Sequence, residues 1–440
     1  YGLRLRQKGH PMSQHPQTTP SSHWHARATA VLPGGGFGNF PPEMILERGQ
    51  GGRVWDIDGN EYVDYLLGSG PMFIGHCHPE VSAAVDDQLA RGTTFFANNS
   101  SGIALAEDIV AALPAAEQVR FVSSGTEADM YAMRLARAYR KRELILKFEG
   151  GYHGMSDHAL MSLAPKRLVN LPRPVPDSAG ICGHVEDEVL VAPFNDIDAA
   201  VKLIASHADQ LAGVIVEPLQ RLIPPKPGFL EALRAETEAR DIPLIFDEVV
   251  TGFRFCYGGA QSLYGVTPDL CTLGKIIGGG FALGAVAGRT DIMAHFDAGQ
   301  VGGDDFLLQI GTLSGNPVAA VAGRATLKVL RETDAYARAE ATGAAIMAAL
   351  TEHFARVGIP AQVVGHPTLF DVVFTAEPVE DFRAVFRADG DRLKQFNALM
   401  AARGILKPAS KFYISAAHDA ADLAQTIDAI AAAADDMAAA

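Results

Sequence analysis

A chain of 440 residues, 48% hydrophobic and 20% charged, is long enough to bury a substantial core and to divide into about two or three domains. Its formal net charge of −14 is spread along the chain, which excludes nucleic acid and anionic membrane as main partners, because both need a basic face. No run of about 18 apolar residues is present to span a membrane. Cys77, Cys182, Cys256 and Cys271 stand far apart with no C-x-x-C pair, which reads as free thiols of a reducing, cytoplasmic compartment. His76 and His78 flank Cys77 without further ligand spacing, so no metal site is expected.

In chain order, Tyr1 to His25 is polar, holds Pro and His, and lacks the apolar stretch of a secretory signal. Residues 1–25 are read as a disordered or vector-derived tail, with Met12 available as the native start. Leu32 to Gly38 is a glycine-rich loop, and Arg53 to Tyr65 alternates apolar and polar residues around Asp58-Gly59-Asn60, a hairpin signal. From about Pro79 the pattern becomes short apolar strands (Phe121-Val122, Leu144 to Phe148, Gly213 to Glu217, Pro243 to Asp247). Between them lie helical stretches such as Glu127 to Arg142 and Phe229 to Arg240. Such alternation predicts βαβ units and a mainly parallel sheet. Beyond Gly323, an amphipathic helix over Val318 to Glu332, mixed segments and an Ala-rich helix from Ala420 predict a smaller α+β domain. The expected division is residues 76–323 as a large α/β domain, with 26–75 and 324–440 together forming the small one.

Four segments carry the chemistry. Ser123-Ser124-Gly125-Thr126-Glu127 stands where a strand ends and a helix begins, so its free amides form an anion cup, or its hydroxyls simply cap the helix. Gly150-Gly151-Tyr152-His153-Gly154 holds an aromatic on a loop, either to lie against a planar ring or to fill the core. Leu244-Ile245-Phe246-Asp247 puts a carboxylate at the C-terminal edge of a parallel strand, where open α/β sheets bind ligands. There it pairs with a protonated ring nitrogen, caps a helix or holds magnesium; the last role has no G-x-x-x-x-G-K-[ST] to accompany it. Lys275 lies among apolar residues and glycines, a setting that lowers a lysine's pKa and frees the amine as a nucleophile; a phosphate-binding or snorkelling lysine is the alternative. Together the four describe a site for pyridoxal phosphate.

From about Pro33 to the end, these segments resemble the class III aminotransferases of fold type I. The stretch Phe121 to Gly154, with SSGTEA, RLARAYRKR and ILKFEGGYHG, is most similar to the glutamate-1-semialdehyde 2,1-aminomutase branch. The run Asp247 to Arg254 and the spacing from Asp247 to Lys275 match as well. The resemblance implies that Lys275 holds the cofactor aldehyde as a Schiff base and shuttles a proton. It implies that Asp247 keeps the pyridine nitrogen protonated, with Val249 and Tyr152 on the two ring faces and His153 beside them. Ser124, Gly125 and Thr126 would hold the phosphate, and Gln220, in the Glu217-Pro218-Leu219-Gln220 segment, would reach the 3′-oxygen. Thr312 would serve the phosphate of a neighbouring subunit, implying a homodimer with shared sites.

The departures lie at substrate positions. The aminomutase has an arginine shortly after its P-G-G segment, and this chain has none between Pro33 and Glu47. The aminomutase's acid near the C-terminal substrate loop is missing from Pro408 to Tyr413, and Arg221 follows Gln220 where many relatives have glycine. Arg221, Arg254 and Lys411 are the candidate carboxylate partners. The expected activity is therefore transamination between a small-molecule amine or amino acid and a keto or aldehyde acceptor. An intramolecular aminomutase or epimerase is the alternative.

Overall fold

The computed structural model describes residues 19–439. Its centre is a seven-stranded sheet in the order Gln118–Val122, Gly284–Gly288, Leu270–Leu273, Leu244–Asp247, Leu211–Val216, Leu144–Phe148, Val189–Ala192. The inner strands are apolar on both faces, and every residue of Leu211–Val216 is buried, as a sheet covered by helices requires. Gly284–Gly288 runs antiparallel to both of its neighbours. Those two reversals cancel, so Gln118–Val122 points the same way as the five remaining strands, which pair in parallel. The C-terminal ends of Gln118–Val122, Leu144–Phe148, Leu211–Val216, Leu244–Asp247 and Leu270–Leu273 consequently open on one edge. That edge carries all four chemical segments.

Helix Gly125–Arg140 crosses the sheet with Ala128, Ala132, Leu135 and Ala136 buried against it, the spacing of a single helical face. Strands Val189–Ala192, Leu270–Leu273 and Gly284–Gly288 are additions to the strands expected from sequence. Each is four or five residues long and bounded by loop residues, too short for its pattern to stand out.

The expected hairpin forms from Arg53–Asp56 and Glu61–Asp64, with Asp56 Oδ1 accepting from Asp58 N and Asn60 N across the turn. Ile405–Leu406 adds in parallel to Glu61–Asp64, so the N-terminal hairpin and the C-terminal segment share one sheet. Helix Gly390–Ala401 packs on Ile405–Leu406, helix Ala335–Arg356 packs on a separate sheet of Gln362–His366, Leu369–Val373 and Phe412–Tyr413, and Ala420–Ala439 packs against both helices. Of the expected 1–25 tail, residues 1–18 lie outside the described residues; from Pro20 the chain forms helix Pro20–Val31, none of whose residues is buried.

Candidate active site

At the sheet edge, Ser124 caps helix Gly125–Arg140: its Oγ accepts from Glu127 N at 3.2 Å, and the Glu127 carboxylate accepts from Ser123 N at 2.7 Å. This reciprocal capping box satisfies those two amides and leaves the helix's first two, of Gly125 and Thr126, facing outward at the positive end of the dipole. Thr126 Oγ1 accepts from Met155 N at 3.3 Å, tying the Tyr152 loop to the cup. A methyl on Gly125 would lie 2.8 Å from Val249 Cγ1, and one on Gly274 would lie 3.1 Å from the same atom. Val249 is thus wedged between the cup and the loop that carries Lys275.

Asp247 is buried at its strand end. One oxygen accepts from His153 Nδ1 at 2.9 Å, and the other from Val249 N at 3.0 Å. Behind it stands Asp129, which the sequence reading did not single out. Thr272 Oγ1 donates to Asp129 Oδ1 at 2.6 Å and lies 3.4 Å from Asp247 Oδ1. Burial and the neighbouring Asp247 charge push Asp129 well above the usual carboxylate range. Only its position on the apolar face of helix Gly125–Arg140 marks it in the sequence, as a charge on the side that packs against the sheet.

Tyr152 is half-buried, with its backbone N–H held by Glu217 Oε2 at 2.9 Å. Arg221 covers one side of its ring, with Cζ 5.3 Å from the centroid. Gln220 Nε2 donates to Glu149 O at 2.8 Å, while Gln220 Oε1 is buried without a partner. The Glu149 carboxylate takes two hydrogen bonds from Arg383, at 2.6 and 3.1 Å, fastening this loop to helix Phe382–Arg387.

Lys275 follows strand Leu270–Leu273, its backbone in the left-handed region at φ 50°. Burial lowers the pKa of its ammonium. Arg254 is fully buried between Phe73 and Tyr413, with its guanidinium carbon 5.5 and 5.0 Å from their ring centroids. Its Nε donates to Val250 O and its Nη2 to Gly70 O, while Nη1 has no partner. Lys411 is buried nearby, its pKa pushed down to about 7 by burial and by Arg221. None of Arg221, Arg254 and Lys411 has a carboxylate within 4.0 Å among the described residues. Thr312 stands apart from this group, exposed on the loop that Asn99 Nδ2 secures through Gly315 O.

The residues present fit pyridoxal phosphate. Two outward amides with the Thr126 hydroxyl suit the phosphate, and a buried carboxylate suits the ring nitrogen. A desolvated amine suits the aldehyde, and the orphaned Gln220 Oε1 awaits a donor.

A parallel α/β sheet with these four elements on one edge defines a pyridoxal-phosphate enzyme, and the aminotransferase class III model matches residues 38–423. The chain belongs to that family, is an enzyme of that class and depends on pyridoxal phosphate. It is 40% identical over 429 residues to the glutamate-1-semialdehyde 2,1-aminomutase of Syntrophomonas wolfei, covering 94% of this chain and 97% of that one. Among solved structures it is similar to an omega-transaminase from Sphaerobacter thermophilus, with TM-score 0.90, 37% identity and 97% and 99% of the two chains covered. It is also similar to a beta-phenylalanine aminotransferase from Variovorax paradoxus, with TM-score 0.81, 30% identity and 94% and 93% covered.

Proposed function

We propose that this enzyme is a transaminase that moves an amino group from a donor bearing a carboxylate to a separate keto or aldehyde acceptor. The observation that carries this reading is the set of three cations near Lys275 (Arg221, Arg254 and Lys411) that have no carboxylate partner among the described residues, in a chain of net charge −14. A buried charge left alone costs free energy, so a ligand anion is the partner that makes the arrangement stable. Pyridoxal phosphate, when bound, supplies an aldehyde and an electron-withdrawing ring. Lys275 contributes its Nζ, whose burial favours the neutral, nucleophilic form and which would carry a proton to and from the substrate carbon. Asp247, fixed by His153 and Val249 N, would hold the proton of the ring nitrogen, and Gly125, Thr126 and Ser124 would seat the phosphate. Val249 and Tyr152 would flank the ring, and Gln220 would reach its 3′-oxygen.

The intramolecular aminomutase reading is favoured by relatives near 40% identity that carry that name. Against it stand the missing arginine between Pro33 and Glu47 and the missing acid between Pro408 and Tyr413. A donor and acceptor panel decides between them. Donor-induced bleaching of the cofactor absorbance, restored by a keto acid, is expected, whereas efficient aminolevulinate formation from glutamate-1-semialdehyde would overturn the preference. Lys275→Ala is expected to abolish the bleaching.

The active unit is proposed to be a homodimer. Ile103, Leu308, Ile310 and Leu313 are each about half or more exposed, around a concavity of about 630 Å³ near the Thr312 loop. A second copy would cover this patch and bring Thr312 to the neighbouring phosphate. Four free cysteines fit a cytoplasmic setting.

A further inference from the structure

A cavity of about 460 Å³ opens beside the Lys275 site, and its lining is divided in character. Tyr152, Gln220, Arg221 and Lys411 are shared with the site already described. Beyond them the walls are apolar, formed by Leu222, Ile223, Val372, Phe374, Val385 and Leu393. Two acids also line it, and both are occupied. Asp371 is paired with Lys407 at 2.9 Å, and Asp389 caps helix Gly390–Ala401 through Arg392 N at 3.0 Å. Among the described residues no free acid therefore lines the cavity to neutralise Arg221 and Lys411, and apart from the exposed Ser410 its polar side chains lie at the shared end or are already paired.

We infer that this cavity receives the apolar substituent of the amino substrate, so that the enzyme acts on amino acids carrying an aryl or long alkyl group, their carboxylate held by Arg221 and Lys411. This rests on the transaminase reading. The substrate requirement is a carboxylate and an apolar group on one molecule, because the cations and the apolar walls belong to one continuous space. A second charge on the substituent would be stripped of water without a partner, which disfavours dicarboxylic and diamino donors. In the reaction the donor loses its C–N bond and gains C=O with oxygen from water. Its amino group and two electrons pass to the keto acid, which loses its carbonyl oxygen as water and is reduced to the amino acid.

The test uses the holoenzyme and matched donors, 3-aminobutanoate against 3-amino-3-phenylpropanoate and alanine against phenylalanine, with bleaching of the cofactor absorbance as the readout. The phenyl member of the faster pair is expected to react with a second-order rate constant higher by about tenfold or more. Rates within about threefold in both pairs would overturn the inference. Calorimetry with 3-phenylpropanoate and propanoate is expected to show the phenyl acid binding about tenfold tighter or more; equal affinity also overturns it. If no donor bleaches the cofactor yet 3-phenylpropanoate binds selectively, the transaminase reading fails and the cavity assignment stands. Val385→Trp, a partly exposed position on the cavity wall, is expected to cut the phenyl-to-methyl ratio by about fivefold or more. A ratio that survives this substitution places the substituent elsewhere and sinks the inference.

Discussion

Asp129 and Asp247 are two carboxylates buried within one hydrogen-bonded network. Burial and the Asp247 charge raise the pKa of Asp129, which favours its neutral form. A neutral acid that only donates and accepts hydrogen bonds is mimicked by an amide. Asp129→Asn is therefore expected to cost less than about 1 kcal/mol, and Asp129→Ala about 1–3 kcal/mol, because the alanine removes the close acceptor of the buried Thr272 hydroxyl. Denaturant unfolding checks this; equal losses would show that Asp129 is ionised. Lys411 gives the pH dependence. Its pKa, depressed to about 7, means that the cation is lost as pH rises through that value, whereas Arg254, lowered only to about 10, stays charged. The ratio of kcat/KM for a carboxylate donor to that for a carboxylate-free amine is expected to fall severalfold between about pH 6 and about pH 8.5. The ionisation of Lys275 cancels in this ratio, and Lys411→Met should flatten the profile.

The anion cup depends on how helix Gly125–Arg140 and the Gly150–Gly154 loop are held together. Gly154 has φ +83°, and a methyl there would lie 2.6 Å from Thr126 Cα, a contact with backbone that cannot swing away. Gly154→Ala is expected to push the Tyr152 loop off the helix N-terminus and weaken cofactor affinity by about tenfold or more, read by spectroscopic titration with pyridoxal phosphate. Much at this scale is legible in the sequence. The Ser124-x-x-Glu127 box announces the helix start, and Leu244 to Phe246 followed by Asp247 announces a strand ending at a ligand edge. The strand Gly284–Gly288 is not legible, because three small or β-branched residues between two glycines fit a loop equally well. Yet its two antiparallel pairings bring Gln118–Val122, and with it the cup, to the same edge as Lys275.

For the whole molecule, the exposed apolar patch around the Thr312 loop sets the expected assembly. Sedimentation is expected to give twice the chain mass, and the paired substitution Leu308→Asp with Ile310→Asp to shift it to the monomer with loss of bound cofactor. A monomer that retains its cofactor would rule out a partner's role for Thr312. The sequence by itself determined the fold class and the cofactor and singled out Lys275 as the lysine expected to serve it, because strand ends, caps and a glycine-framed lysine are signals written within a few consecutive residues. Only the tertiary structure decided that Asp129 shares a network with Asp247, that Arg254 is sealed between Phe73 and Tyr413, and that Arg221 and Lys411, without a carboxylate partner among the described residues, border a largely apolar cavity. The state of a charge is set by its desolvation and by neighbours from distant parts of the chain, and neither is a property of the local sequence.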